Sequence, residues 1–104
     1  MEARVYDYFG EKFNGTHLQG KVCTTVDTLK ELLGEGLGSG DKTTQEWCIE
    51  FSDGTVATIY DWKEYSTPQG LYDWHIGGHT HRAVQLVEDL LDGRILLVDG
   101  FEVM

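Results

Sequence analysis

Alternation with a period of two is clearest between Gln45 and Trp62, where Trp47, Ile49 and Phe51 are interleaved with Glu46, Cys48, Glu50 and Ser52 as far as the pair Asp53-Gly54. Successive side chains of a strand point to opposite faces, and Asp-Gly between two such runs is a strong hairpin signal. A two-residue turn sets Phe51 against Val56, Ile49 against Thr58 and Trp47 against Tyr60. That register gathers branched and aromatic side chains on one face, the expected core face. On the other face it sets Glu50 beside Ala57, Cys48 beside Ile59 and Glu46 beside Asp61, the last opposing two like charges.

The period lengthens to that of a helix at two places. Val26, Leu29, Leu32 and Leu33 form an apolar stripe after Thr24 or Thr25 as N-cap and before Gly34 as stop, which predicts a first helix over 26–33. Ala83, Val84, Val87, Leu90 and Leu91 recur likewise, predicting a second helix over 80–91 with Thr80 as N-cap and Asp92-Gly93 as its end. Strand-like runs precede the first helix at Ala3 to Phe9 and near Lys21 to Thr24, separated by the turn residues Phe13-Asn14-Gly15-Thr16. Another run, Arg94 to Val98, follows the second helix, and Asp99-Gly100 then suggests a turn into a last strand at Phe101-Glu102-Val103. The segment from Gly34 to Asp41 has Gly at every second position and lacks the Lys-Ser/Thr ending of a phosphate-binding loop, so it reads as a flexible connection. The sum is an α+β fold: a small, mainly antiparallel sheet with two helices packed on one face. At 104 residues the chain has the size of one domain, 1–104.

Charge changes the functional picture. Asp and Glu number 18 against 8 Lys and Arg, a formal charge of −10, which repels phosphate backbones and disfavours direct nucleic-acid binding. The same field attracts a basic protein surface and speeds the encounter. It also keeps a small protein in solution. A hydrophobic fraction of 40% with one Pro fits a folded globule. Cys23 and Cys48 form no recognisable pair, and Cys48, inside the alternating run, reads as a small buried thiol. With no apolar run of membrane-spanning length and no signal-peptide pattern at Met1-Glu2-Ala3-Arg4, a cytoplasmic setting away from membranes is the expectation.

Chemistry-bearing residues concentrate in Trp74-His75-Ile76-Gly77-Gly78-His79-Thr80-His81-Arg82, which holds three of the 4 histidines. Two ligand readings arise there. His75, His79 and His81, with Asp73 as an oxygen donor, could ligate a divalent metal, although their spacing matches no standard motif. Alternatively, Gly77 and Gly78 admit a ligand close to the backbone while the following helix start, His79, His81 and Arg82 hold a phosphate or carboxylate. The commonplace reading of Gly77-Gly78 is a positive-φ turn between strand and helix. Tyr60, Trp62, Tyr65, Tyr72 and Trp74 bracket a loop containing Pro68, and Trp62, Tyr72 or Trp74 could stack a base. Tyr60 is expected to be mostly buried, with Trp62 and Trp74 divided between core and rim. No nucleophile elbow, cysteine–base motif or carboxylate pair stands out, so catalysis and a cofactor are not expected.

The strings Trp47-Cys48-Ile49-Glu50-Phe51-Ser52-Asp53-Gly54-Thr55-Val56-Ala57-Thr58-Ile59-Tyr60-Asp61-Trp62-Lys63 and Trp74-His75-Ile76-Gly77-Gly78 resemble a pattern met in small hypothetical bacteriophage proteins, over about the central third of the chain. In size and charge the chain is similar to anti-defence inhibitors, anti-CRISPR proteins among them. The resemblance implies a non-enzymatic inhibitor in the cytoplasm of a phage host, its partner a nuclease or other defence complex. Glu46, Glu50, Asp61, Glu64, Glu88, Asp89 and Asp92 are the candidates for occupying that partner's basic nucleic-acid groove. The alternatives are a protein that sequesters a phosphate-bearing signal nucleotide at Gly77-Gly78, a metal-binding protein built on the histidines, and a phage accessory or structural subunit. An exposed aromatic patch could also pair two copies of the chain.

Overall fold

The computed structural model describes residues 1–38 and 42–99. It is an α+β fold with one six-stranded sheet in the order β2-β5-β4-β3-β1-β6. The strands are β1 (Glu2–Tyr6), β2 (His17–Thr24), β3 (Glu46–Phe51), β4 (Val56–Tyr60), β5 (Tyr72–Gly78) and β6 (Leu96–Leu97). All neighbours are antiparallel except β1 and β6, which run parallel. The expected strand at Phe101–Val103 lies outside the described residues.

The first helix, α1 (Val26–Leu33), has the predicted bounds, and the Thr25 side chain caps it by accepting from the Thr28 amide at 3.1 Å. The second, α2 (Arg82–Leu91), begins two residues later than expected. Thr80 is not its N-cap: His81 holds that position with no side-chain cap, and the Thr80 carbonyl accepts from Ala83 N–H at 3.2 Å. Val26, Leu29 and Leu33 of α1 and Ala83, Val84, Leu86, Val87 and Leu90 of α2 share one core with Trp47, Ile49, Phe51, Ala57, Ile59, Trp74 and Ile76. Both helices therefore cover the same face of the sheet. Close approach of α2 requires glycine beneath it. A Cβ on Gly78 would lie 2.6 Å from Ala83 Cβ, and one on Gly20 would lie 2.9 Å from a Val84 methyl.

The β3–β4 register differs by one residue from the sequence expectation. Trp47 opposes Ile59, Ile49 opposes Ala57 and Glu46 opposes Tyr60. The loop has three residues, not two: Gly54 N–H donates to Phe51 O at 2.9 Å, Gly54 sits at φ 92, and Phe51 N–H then bonds Thr55 O at 2.8 Å. A tight turn followed by a left-handed glycine displaces the partner strand by one position. That shift sends Ala57 and Ile59 into the core and turns Val56, Thr58 and Tyr60 to the opposite face.

Two other segments differ from expectation. The glycine-rich connection is anchored as far as it is described: Leu37 bridges to Glu46, Trp47 Nε1–H donates to Gly34 O at 2.9 Å, and a Cβ on Gly36 would lie 3.1 Å from the Trp47 ring. Ser39–Asp41 of that connection lie outside the described residues. Tyr72–Gly78, read from sequence as the end of an aromatic loop and a turn, is the strand joining β2 to β4. Its alternation is regular, with Trp74 and Ile76 fully buried on the helix side.

Candidate functional site

The sheet face opposite the helices is only partly covered. A 3-10 turn at Glu11–Phe13 places Phe13 against Tyr6, Cys48 and Val56, closing a small second core. Beyond it Tyr60, His75 and Gly77 face outward, and Trp62 and Leu18 flank them at 42% and 53% exposure. The Tyr60 and His75 rings stack at 5.4 Å, and Trp62 meets Tyr60 edge-on at 6.2 Å. Glycine at position 77 keeps this floor open, because a Cβ there would lie 2.5 Å from Thr58 Oγ1 and 3.4 Å from the Tyr60 ring. The result is a recess of about 440 Å³ bounded by Phe9, Thr16, Lys42, Glu46, Thr58, Tyr60 and Trp62, next to a smaller one at Leu18 and His75.

Two carboxylates lie beside this recess in unlike environments. Asp61, a sequence candidate for partner contact, is fully buried and accepts from Thr44 N at 2.7 Å, Thr44 Oγ1 at 2.6 Å and Gln45 N at 3.2 Å. It fastens the chain that enters β3 and is not available to a partner. Asp61→Ala leaves those donors without their acceptor, and thermal melts should show a loss of about 2–4 kcal/mol. Glu46, by contrast, lines the recess, and among the described residues no hydrogen bond or ion pair reaches its carboxylate. Burial pushes its pKa up, and the charge of Asp61 adds to the rise.

Glu46 therefore strains the folded state when ionised. A carboxyl with a raised native pKa contributes stability that is fully present below its unfolded pKa and is lost as pH rises through the native value. Glu46→Gln should stabilise the protein slightly at neutral pH, by well under about 1 kcal/mol because solvent screens this part-exposed group, with the gain disappearing in acid, as read from melting temperature against pH. Burial, reinforced by Glu46, also raises the Cys48 thiol to about 12, which leaves it protonated and unreactive.

The Trp74–Arg82 segment does not assemble as its sequence suggests. Gly77 and Gly78 are buried inside β5, and neither has the positive φ of a turn. Trp74 is fully buried in the helix-side core, whereas Tyr72 is half-buried, its hydroxyl donating to Glu64 at 3.2 Å and accepting from Trp62 N–H at 3.2 Å. Arg82 is held by Asp53 at 2.7 Å, and the His79 ring bonds the Lys12 carbonyl at 3.0 Å. At the start of α2, Ala83 and Val84 N–H groups already donate to Thr80 and His81 carbonyls. Two of the amides that an anion at this helix start would use are thereby taken. His75, on the open sheet face, is separated from the loop residues His79 and His81, and no group of three or more His, Cys, Asp or Glu placed to hold a metal occurs among the described residues. Burial lowers the His75 pKa, Lys21 lowers it further, and Asp61, Glu64 and Asp73 act in the opposite direction.

The seven acidic candidates are divided between the two sides of the sheet. Glu50 lies on the open face and is engaged by Lys12 at 3.0 Å and by the Tyr6 hydroxyl at 2.6 Å. Burial alone would raise its pKa, but these bonds and the charges of Lys12 and Arg4 bring it below the usual range. Glu64 is on the exposed loop after β4. Glu88, Asp89 and Asp92 belong to α2 or its end, on the helix side. There Asp27 and Glu31 of α1 are exposed as well, two residues that the sequence search passed over although they occupy the polar stripe of an amphipathic helix.

The two sides differ in charge. Lys30, Arg82 and Arg94 on the helix side are each paired with an acid, at 3.6 Å to Glu35, 2.7 Å to Asp53 and 4.0 Å to Asp89. Among the described residues Asp27, Glu31, Glu88 and Asp92 have no cationic partner. The open sheet face is mixed, with Lys12 and Arg4 near the Tyr6 ring and Lys63 5.9 Å from the Trp62 ring. The helix side can attract cations at long range, and the open face can pack and stack on a smaller group.

No family model matches this chain, and no curated protein matches it. No described helix is long and apolar enough to cross a membrane.

Proposed function

We propose that this protein is a non-enzymatic inhibitor of phage type that binds a basic, nucleic-acid-handling protein surface, such as a host defence nuclease, in competition with nucleic acid. The supporting observation is the uncompensated acid on the helix side: among the described residues Asp27, Glu31, Glu88 and Asp92 have no cationic partner, while Lys30, Arg82 and Arg94 are already paired. With a net charge of −10 behind them, these four groups form the surface that a cationic groove would meet first. The contact surface thereby differs from the seven acids suggested by sequence: Glu88 and Asp92 are kept and Asp27 and Glu31 are added, whereas Asp89 is paired with Arg94, Glu50 with Lys12, Asp61 is buried, and Glu46 and Glu64 do not belong to the helices.

A titration of the purified protein into preformed complexes of defence nucleases with labelled DNA tests the reading. Displacement of DNA at low salt, together with direct protein–nuclease binding that weakens steeply with added salt, supports it, because exposed charges are screened over about 8–10 Å at physiological ionic strength. DNA retention at every salt concentration across the nucleases tested contradicts it.

A further inference from the structure

Glu46 is an unusual group for an open protein surface: a half-buried carboxylate that, among the described residues, has no hydrogen-bond or ion-pair partner, at the edge of a recess walled by aromatic rings. Burying an acid without a counter-charge works against stability. The same arrangement matches one kind of guest closely. A planar cation with several N–H donors can stack on Trp62, which stands edge-to-face with Tyr60 at 6.2 Å, while its N–H groups reach the Glu46 carboxylate.

We propose that this recess receives an arginine side chain from a protein partner, its guanidinium bonded to Glu46 and stacked on the Trp62 ring, with Tyr60, whose ring stacks on His75, as the adjoining wall. Guanidinium meets each requirement: it is flat, permanently charged, weakly hydrated, and forked to match a carboxylate. The volume of about 440 Å³ accommodates a side chain of that size, with Phe9 and Thr58 left to contact its methylene stem. Charge complementarity favours a cationic guest, since the chain as a whole stands at −10. Lys42, on the rim, and Lys63, 5.9 Å from the Trp62 ring, oppose entry and tune the affinity. This site is on the opposite side of the sheet from the acidic helices, so it stands or falls separately from the reading above.

The test follows the Trp62 indole N–H by NMR, a suitable reporter because Trp47 and Trp74 are buried and Trp62 is exposed. The full chain is titrated with a capped Gly-Arg-Gly peptide and with its citrulline counterpart, which is isosteric and uncharged. The arginine peptide should shift the Trp62 signal in a saturable manner and citrulline should not. Glu46→Gln should weaken binding about 10-fold or more while the protein stays folded and melts no lower than the parent, and Lys42→Gln should strengthen it. Equal response to citrulline, or binding that survives Glu46→Gln, overturns the proposal. Tighter binding of guanosine monophosphate than of the arginine peptide overturns it in favour of a base-stacking site. A concentration-dependent Trp62 shift without peptide overturns it in favour of contact between two copies of the chain.

Discussion

Trp47→Ala should destabilise the protein by about 3–5 kcal/mol, the largest effect expected of any single substitution considered above. The indole is 1% exposed at the centre of the core, and its ring meets Trp74 edge-on with centroids 5.7 Å apart. Its Nε1–H also ties down Gly34 at 2.9 Å, so truncation leaves a cavity and releases the segment that follows α1. For a domain near this size each kcal/mol shifts the melting temperature by about 4–8 °C, which predicts a fall of at least about 12 °C. Differential scanning calorimetry checks it. A drop of only a few degrees would mean that the α1–β3 connection does not depend on this anchor.

The second large effect concerns binding. Replacing Asp27, Glu31, Glu88 and Asp92 together by Asn and Gln should reduce affinity for a basic partner by about 100-fold or more at low salt, mostly through a slower encounter, and by less at high salt. Folding should be largely retained, because all four side chains are exposed. The loss of Asp27 from the first turn of α1 removes a favourable interaction with the helix dipole of only about 0.3–1 kcal/mol. Surface plasmon resonance at two ionic strengths separates the outcomes. An affinity unchanged by all four substitutions would place the contact away from the helices.

Much of the fold was legible because local signals and tertiary packing agree. The stripe Val26, Leu29, Leu33 fixed α1 to the residue, since a capping threonine precedes it and a glycine stops it. In the β3–β4 hairpin the existence of both strands was legible but their register was not. Asp-Gly is compatible with a two- or a three-residue loop, and the backbone bond from Gly54 to Phe51 decides between them. One residue of slip exchanged Ile59 and Ala57 for Tyr60 and Thr58 on the core side, and so created the open aromatic face.

The strand Tyr72–Gly78 was obscured by its own composition. Histidines and a glycine pair beside a helix start suggest a ligand loop, yet Gly78 is needed because Ala83 packs directly above it, and Gly77 because Thr58 and Tyr60 lie across from it. The regular alternation of Trp74 and Ile76 with His75 was the signal for a strand. Asp61 shows the opposite difficulty: a carboxylate in a polar segment looks like surface from sequence, and only the fold brings Thr44 and Gln45 around it. Long-range hydrogen bonding of this kind leaves no periodic trace.

The most direct test of the central claim is competition between this protein and labelled double-stranded DNA for one purified defence nuclease, followed by fluorescence anisotropy across a salt series. The account predicts that the parent protein displaces DNA at low salt, that the variant lacking the Asp27, Glu31, Glu88 and Asp92 charges does not, and that the difference between them narrows as salt rises. DNA displacement equally strong with parent and variant at all salt concentrations would contradict it.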